Sequence, residues 1–245
     1  MSKIRLFVSD KNLRQGLQIK VEDGDFDYLA KVMRQKIGDE IFLFNGLDGE
    51  FKSTILNLEK RWLILEVKEK IAELKKVPNI TLAFAPVKNV RIDFIATKAC
   101  ELGVARFAPI ITQHTIVDKI NVDRFKANIK EALEQCERND SAEVLEIKKL
   151  DKFLTEEKTK EKILILCDES GQGKKASELL KNISTDGKEI VILIGPEGGF
   201  SKEEFVKMRN LPNLYSMSLG PRILRSDTAI ISALTLVQEF LGDFS

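Results

Sequence analysis

The sequence predicts an α/β protein, with a small β-rich unit followed by a larger domain built on a parallel sheet. Three observations lead there. The runs Ile163-Leu164-Ile165-Leu166 and Ile190-Val191-Ile192-Leu193-Ile194 are apolar without alternation, as expected of strands covered by helices on both faces. From Asn79 onward, strand-like and helix-like segments alternate. Before that point the chain carries short strand-like runs around Asn45-Gly46 and Asp48-Gly49, dipeptides that readily take positive φ in tight turns.

Taken in order, Ile4 to Val8 has strand composition, and Asp25 to Arg34 carries Leu29, Val32 and Met33 at helical spacing. Strands are expected over 40–45, 50–58 and 61–67, as a meander. The charged stretch Lys68 to Lys76, ending at Pro78, reads as a linker. The boundary is therefore placed at residue 74, giving domains 1–74 and 75–245. In the second domain Ile80 to Ala85 is a strand, and 88–102 is a helix stopped by Gly103, a usual C-cap residue. A strand over 104–111 precedes a helix over 123–137, whose apolar stripe runs Phe125, Ile129, Leu133 and Cys136. Later strands span 162–167, 189–194 and 214–219, with helices near 174–181, 201–209 and 227–241. No internal repeat or low-complexity segment interrupts this order.

Composition narrows the function. The chain has 245 residues with Lys+Arg 39, Asp+Glu 38 and a formal net charge of +1. Hydrophobic residues at 43% and charged residues at 31% are ordinary for a soluble domain. No apolar run approaches the roughly 20 residues of a membrane helix, and the start lacks a secretory apolar region. Cys100, Cys136 and Cys167 are far apart and form no C-x-x-C, so a reducing cytoplasm is expected, without disulfides or a metal site. The single histidine, His114, excludes an H-E-x-x-H centre within one chain. Neutrality argues against a generic polyanion binder, but residues 1–20 carry a net +4 and a second cluster holds Lys31, Arg34 and Lys36. Such patches attract phosphate. Glu22, Asp23, Asp25 and Asp27 balance them in sequence.

In an open α/β sheet, ligands bind beyond the carboxyl ends of the strands. Three of those ends carry unusual sequence: Cys167-Asp168-Glu169-Ser170-Gly171, Gly195-Pro196-Glu197-Gly198-Gly199-Phe200 and Leu219-Gly220-Pro221-Arg222-Ile223-Leu224-Arg225. Glycines at 195, 198 and 199 let backbone approach a ligand, and Ser201 with Glu204 forms a capping box for the next helix. The segment lacks both the G-K-[ST] ending of a Walker loop and the G-x-G-x-x-G spacing. On local grounds a bare strand-to-helix turn is equally compatible. Arg222 and Arg225 lie three apart with no acidic residue just before them, which suits an anionic ligand or a structural ion pair. His114 reads as a loop residue, because no Ser or Cys adjoins it. Cys100 and Cys136 read as core or interface thiols, whereas Cys167 stands beside the candidate site. Trp62, Phe42 and Phe44 are expected in the core of the small domain rather than as a base-stacking platform.

The two motifs Gly195 to Ser201 and Leu219 to Arg225, in this order and spacing, strongly resemble the RsmE family of SPOUT-class methyltransferases. Further matches are Arg5-Leu6-Phe7-Val8, Leu29 to Arg34, Lys98 to Val104, and Glu131 to Arg138, which is similar to an E-A-x-E-Q-S-x-R segment. Departures are Met33 for Leu, Cys136 for Ser, Ser226-Asp227 for Thr-Glu, and no glycine within Pro86 to Asn89. The resemblance implies a PUA-like RNA-binding β-barrel at the N-terminus and a C-terminal α/β domain with a deep trefoil knot. It implies a cytoplasmic homodimer that uses S-adenosylmethionine to methylate ring N3 of a uridine in small-subunit ribosomal RNA, free or within the assembled subunit.

Carried onto this sequence, the implied catalytic residues are Arg225 and, second, Arg222. The implied cofactor contacts are Leu166 and Glu169; Ile194, Gly195, Pro196, Gly198 and Gly199; and Leu219, Gly220, Ile223, Leu224 and Arg225. RNA contacts are expected from Arg5, Arg34, Lys98 and Arg138. The proton acceptor stays open among Ser226, Asp227 and water. Two alternatives stand beside this reading. One is a SPOUT enzyme with another target, such as a ribose or a transfer RNA. The other is a non-catalytic RNA-binding protein whose glycine loops are only turns.

Overall fold

Alternating side chains build the first sheet, as in Gln18–Glu22, where Ile19 and Val21 are buried and their neighbours exposed. The computed structural model describes residues 3–9, 12–87, 89–158 and 162–244; Lys11 and the expected helix start at Lys88 lie outside them. The chain divides into a unit of Met1–Lys76 with Leu133–Ser141, and a unit of Val77–Ala132 with Ala142–Ser245.

The first unit contains β1 (Arg5–Phe7), β2 (Gln18–Glu22), α1 (Asp23–Phe26) continuing into a π-helical turn (Asp27–Val32), β3 (Glu40–Phe44), β4 (Glu50–Leu58) and β5 (Trp62–Ala72). The sheet order is β1-β3-β4-β5-β2, with β1 parallel to β3 and the other pairs antiparallel. Leu6, Leu29, Ile41, Leu43, Leu63 and Leu65 anchor its core. Several expectations change here. Lys68 to Ala72 continues β5 instead of forming a linker, and β2 had no sequence forecast. The wider π-turn breaks the 3.6-residue period, so Leu29 is buried while Val32 is 68% exposed. Phe44 is core, but Phe42 and Trp62 are half-buried, with Lys3 and Lys20 over their rings.

Arg5 corrects a functional expectation. It is 2% exposed, and its Nε donates to Glu50 Oε1 at 2.7 Å. Its Nη1 and Nη2 donate to the carbonyls of Leu133 (2.6 Å) and Arg138 (2.8 Å), and its guanidinium lies 4.1 Å from the centre of the Phe44 ring. The fork is spent inside the unit, so Arg5 is not an RNA contact. Burial pushes the Glu50 carboxyl up, but hydrogen bonds and charge from Arg5 and Lys3 outweigh it and hold its pKa below the usual value. Arg138 is corrected likewise, since it forks onto Asp140 at 2.9 and 3.0 Å with 8% of its side chain exposed.

The second unit contains β6 (Ile80–Phe84), α2 (Asn89–Glu101), β7 (Arg106–Ile111), α3 (Val122–Gln135), β8 (Glu143–Val144), β9 (Lys148–Lys149) and α4 (Leu150–Lys158). It continues through β10 (Lys162–Cys167), β11 (Lys174–Lys175), α5 (Ala176–Leu180), β12 (Glu189–Ile194), α6 (Lys202–Arg209), β13 (Leu214–Ser218) and α7 (Ser226–Leu241). The sheet order is β11-β13-β10-β12-β6-β7-β8, with β9 on β7, and every pair is parallel. All five residues of β6 are buried, as the unalternating runs predict for a sheet covered on both faces. Gly103, at φ +78°, ends α2; a Cβ there would stand 2.3 Å from Gln238 Nε2, which donates to Leu102 O at 2.7 Å. Cys100 is buried, whereas Cys136 falls beyond the end of α3 and is half-buried, outside the expected stripe. Among the described residues no helix is long and apolar enough to cross a membrane, and no group of three His, Cys, Asp or Glu residues could hold a metal.

The chain runs from β10 through β12 to β13, yet β13 pairs with β10 on the side away from β12. Three carboxyl ends that are far apart in sequence thereby become neighbours.

Candidate active site

Those ends surround a cleft that is open at its mouth. After β10 it is lined by Cys167, Asp168 and Glu169; after β12 by Ile194 to Glu197 and Gly199. After β13 come Leu219, Gly220 and Arg222 to Leu224, and α7 contributes Ser226 and Ala229.

The β12 loop needs its glycine at 199, where φ is +68° and a Cβ would lie 2.4 Å from Glu169 Oε1. Its N–H donates to Pro196 O at 2.9 Å. The capping box forms as expected: Ser201 Oγ accepts from Glu204 N (3.2 Å) and Glu204 Oε2 from Ser201 N (2.8 Å). Glu204 Oε1 also accepts the Gln113 N–H at 2.8 Å. Next to Gln113, His114 Nδ1 lies 3.0 and 3.2 Å from the carbonyls of Gly198 and Gly199. The ring donates to them when Nδ1 carries a proton. His114 is an exposed loop residue, and it also pins the glycine turn.

Asp168 closes the β10 end. Its Oδ1 accepts from Ser170 N (2.9 Å) and Oγ (2.5 Å), and its Oδ2 from Arg209 at 2.9 Å. Burial opposes its ionisation, but the bonds from Ser170 and Arg209 and the charge of Arg209 hold its pKa below the usual value. Burial, reinforced by the charges of Glu169 and Asp168, pushes the Cys167 thiol far up, so it is no thiolate nucleophile at neutral pH.

The β13 end is different. Arg222 and Arg225 are exposed, and neither side chain has a hydrogen-bond or ion-pair partner among the described residues; the Arg225 carbonyl accepts the Ala229 N–H at 2.8 Å. Arg225 is the N-cap of α7 and makes no side-chain cap bond. Ser226 is 5% exposed, and its Oγ is buried without a partner.

Of the expected cofactor residues, Glu169, Ile194, Gly195, Pro196, Gly199, Leu219, Gly220, Ile223 and Leu224 line the cleft. Leu166 is wholly buried within β10, Gly198 turns toward His114, and Arg225 stands between two lining residues without lining the cleft itself. Asp168, Glu197 and Ala229 also line the cleft, outside the expected set of contacts. Ala229 follows Ser226 by three residues, the helical spacing that could have marked it. Elsewhere, Arg34 is exposed at φ +54°, and Lys98 pairs with Glu101 at 2.7 Å.

Comparison with known proteins assigns the family. Residues 73–238 match an RNA methyltransferase domain and residues 21–68 an RNA methyltransferase PUA domain. Ribosomal RNA small subunit methyltransferase E of Rickettsia conorii is 30% identical over 235 residues, covering 96% of this chain and 94% of that protein. The chain belongs to this methyltransferase family. Its N-terminal unit is PUA-like. Two solved structures cover the whole of this chain and are themselves covered in full. A methyltransferase of Legionella pneumophila, in complex with S-adenosylmethionine, shares 29% identity at a TM-score of 0.88. Ribosomal RNA small subunit methyltransferase E of Neisseria gonorrhoeae, also bound to S-adenosylmethionine, shares 27% at 0.87.

Proposed function

We propose that the chain transfers a methyl group from S-adenosylmethionine to ring N3 of a uridine in small-subunit ribosomal RNA. We place it in the cytoplasm as a homodimer, with the deep trefoil knot of its family in the segment that carries β12, β13 and α7. The observation that carries the reading is the cleft itself, where a glycine turn, an unpaired buried hydroxyl and the unpaired Arg222 side chain meet at three adjacent strand ends, with the unpaired Arg225 next to two lining residues.

The residues present fit this cofactor. Ile194, Pro196, Leu219 and Leu224 offer apolar walls for an adenosyl group, Gly199 permits close backbone approach, and Glu169 and Glu197 suit its cationic end. When bound, it supplies a methyl group made electrophilic by a sulfonium. The chain supplies the rest. A uracil imide becomes a good nucleophile once its proton leaves, which spreads negative charge onto the ring carbonyls. Arg225, with Arg222 second, donates to those oxygens as charge develops, and the paired loops hold the acceptor in line. Free guanidinia suit this role, since they have no internal partner to surrender. Arg34 in the PUA-like unit and Lys98 on α2 take the RNA backbone, while Arg5 and Arg138 maintain the first unit.

Tritium transfer from labelled S-adenosylmethionine to unmodified small subunits and to bare ribosomal RNA, followed by nucleoside digestion, tests the proposal. Label in N3-methyluridine is expected. Label in another nucleoside overturns the target, and the absence of both label and thermal stabilisation by the cofactor overturns the enzyme reading.

A further inference from the structure

Among the described residues, two buried side-chain atoms have no hydrogen-bond partner, Asn213 Oδ1 and Ser226 Oγ. Asn213 adjoins the start of β13 and donates its amide to Lys162 O at 3.0 Å, at the amino ends of the strands. Ser226 lines the cleft. A buried hydroxyl left unbonded is disfavoured, and in a residue that lines a binding cleft it calls for a partner that the described residues do not supply.

Its surroundings indicate which ligand atom. Ser226 is the first residue of α7, a 16-residue helix, so its hydroxyl lies among first-turn amides that have no intrahelical acceptor. The Thr228 N–H is taken by Asp227 Oδ1 at 2.9 Å, which turns that carboxylate back onto the helix. The positive end of a helix favours a lone pair over a second donor. Ala229, one turn along α7, and Leu224, just before Arg225, are neutral lining residues close to it in the chain, whereas Asp168, Glu169, Glu197 and Arg222 carry the charges of the cleft. S-adenosylmethionine has one neutral heterocycle with ring lone pairs and one charged end.

We infer that Ser226 Oγ–H donates to a ring nitrogen of the cofactor's adenine and makes Ser226 a base-specificity determinant. This rests on the cofactor reading above.

The test titrates S-adenosylhomocysteine and its 1-deaza, 3-deaza and 7-deaza analogues into the wild-type protein, Ser226→Ala and Ser226→Thr by calorimetry. One analogue should bind wild type about tenfold more weakly than the parent compound. Ser226→Ala should bind that analogue and the parent equally, and Ser226→Thr should keep the discrimination. Equal binding of all four compounds by wild type, or discrimination unchanged in Ser226→Ala, overturns the inference and leaves the cofactor reading intact. No binding of the parent compound by wild type overturns the cofactor reading, and the inference with it.

Discussion

The two ends of the parallel sheet treat charge in opposite ways. At the amino ends, Glu189 accepts from Lys162 (2.9 Å), Arg106 (3.0 Å) and Thr81 (2.6 Å), and Arg106 also bonds Asn79. Lys162 and Arg106 are both tied to that carboxylate. At the carboxyl ends, Arg222 and Arg225 have none among the described residues, although Asp168 and Glu169 stand at a neighbouring strand end. A guanidinium already neutralised by a carboxylate has little to offer a developing anion. Stability is concentrated at one end, and reactivity is kept open at the other.

The largest expected effect breaks the open end. Arg225→Ala should keep its melting temperature while kcat falls roughly 10²–10³-fold, the usual loss for one donor to a developing oxyanion. Single-turnover methyl transfer measures it, and undiminished turnover removes Arg225 from the mechanism. The opposite pattern is expected at the closed end. Glu189→Gln should lose roughly 1–3 kcal/mol of stability, between the values for exposed and buried pairs, with turnover per folded molecule unchanged.

Acid sharpens that contrast. Burial raises the Glu189 pKa, but hydrogen bonds from Lys162 and Thr81 and the charges of Lys162 and Arg106 bring it below the ordinary value of 4.5. Its contribution is therefore complete above pH 4.5 and is lost as pH falls through the depressed folded value. The stability gap between wild type and Glu189→Gln should close on acidification, as read by denaturant titration; a gap that persists well below pH 4.5 refutes the role of this carboxylate. The smallest effect concerns the pin of the glycine turn. His114→Ala should raise the KM for cofactor about threefold to tenfold, as for one lost hydrogen bond, at constant kcat. His114→Asn, which keeps a donor, should restore much of it. An unchanged KM in His114→Ala would mean that the turn holds itself.

Much of this was legible in sequence where the determinant was local. The apolar runs of β10 and β12 announced a covered sheet, Gly103 ended α2, and Ser201 with Glu204 announced its own helix, because each signal and its consequence lie within a few residues. The cleft was legible as three strand ends, though their adjacency depends on β13 pairing beyond β10, which no short window contains. Short elements such as β8 and β9 are held by pairing to β7 and carry little signal of their own. Arg5 was illegible for the same reason at longer range. It has the composition of a surface cation, and its carbonyl partners lie about 130 residues downstream. The charge of Lys68 to Ala72 masked a strand whose long side chains reach solvent while the backbone pairs with β4.

The segment Leu133–Ser141 that completes the first unit also sets a schedule. Its Glu134 accepts the Phe7 N–H at 2.9 Å, and its Asn139 bonds both Lys75 N and Glu73 O. A ribosome making this chain releases all five strands of the N-terminal sheet long before that segment emerges. Until then Arg5 has Glu50 but lacks its carbonyls, a charge only half answered. Closing so long a loop adds little to the equilibrium cost, but it delays the final contacts. The nascent N-terminal unit must wait, incomplete, for a stretch that is made well after its last strand.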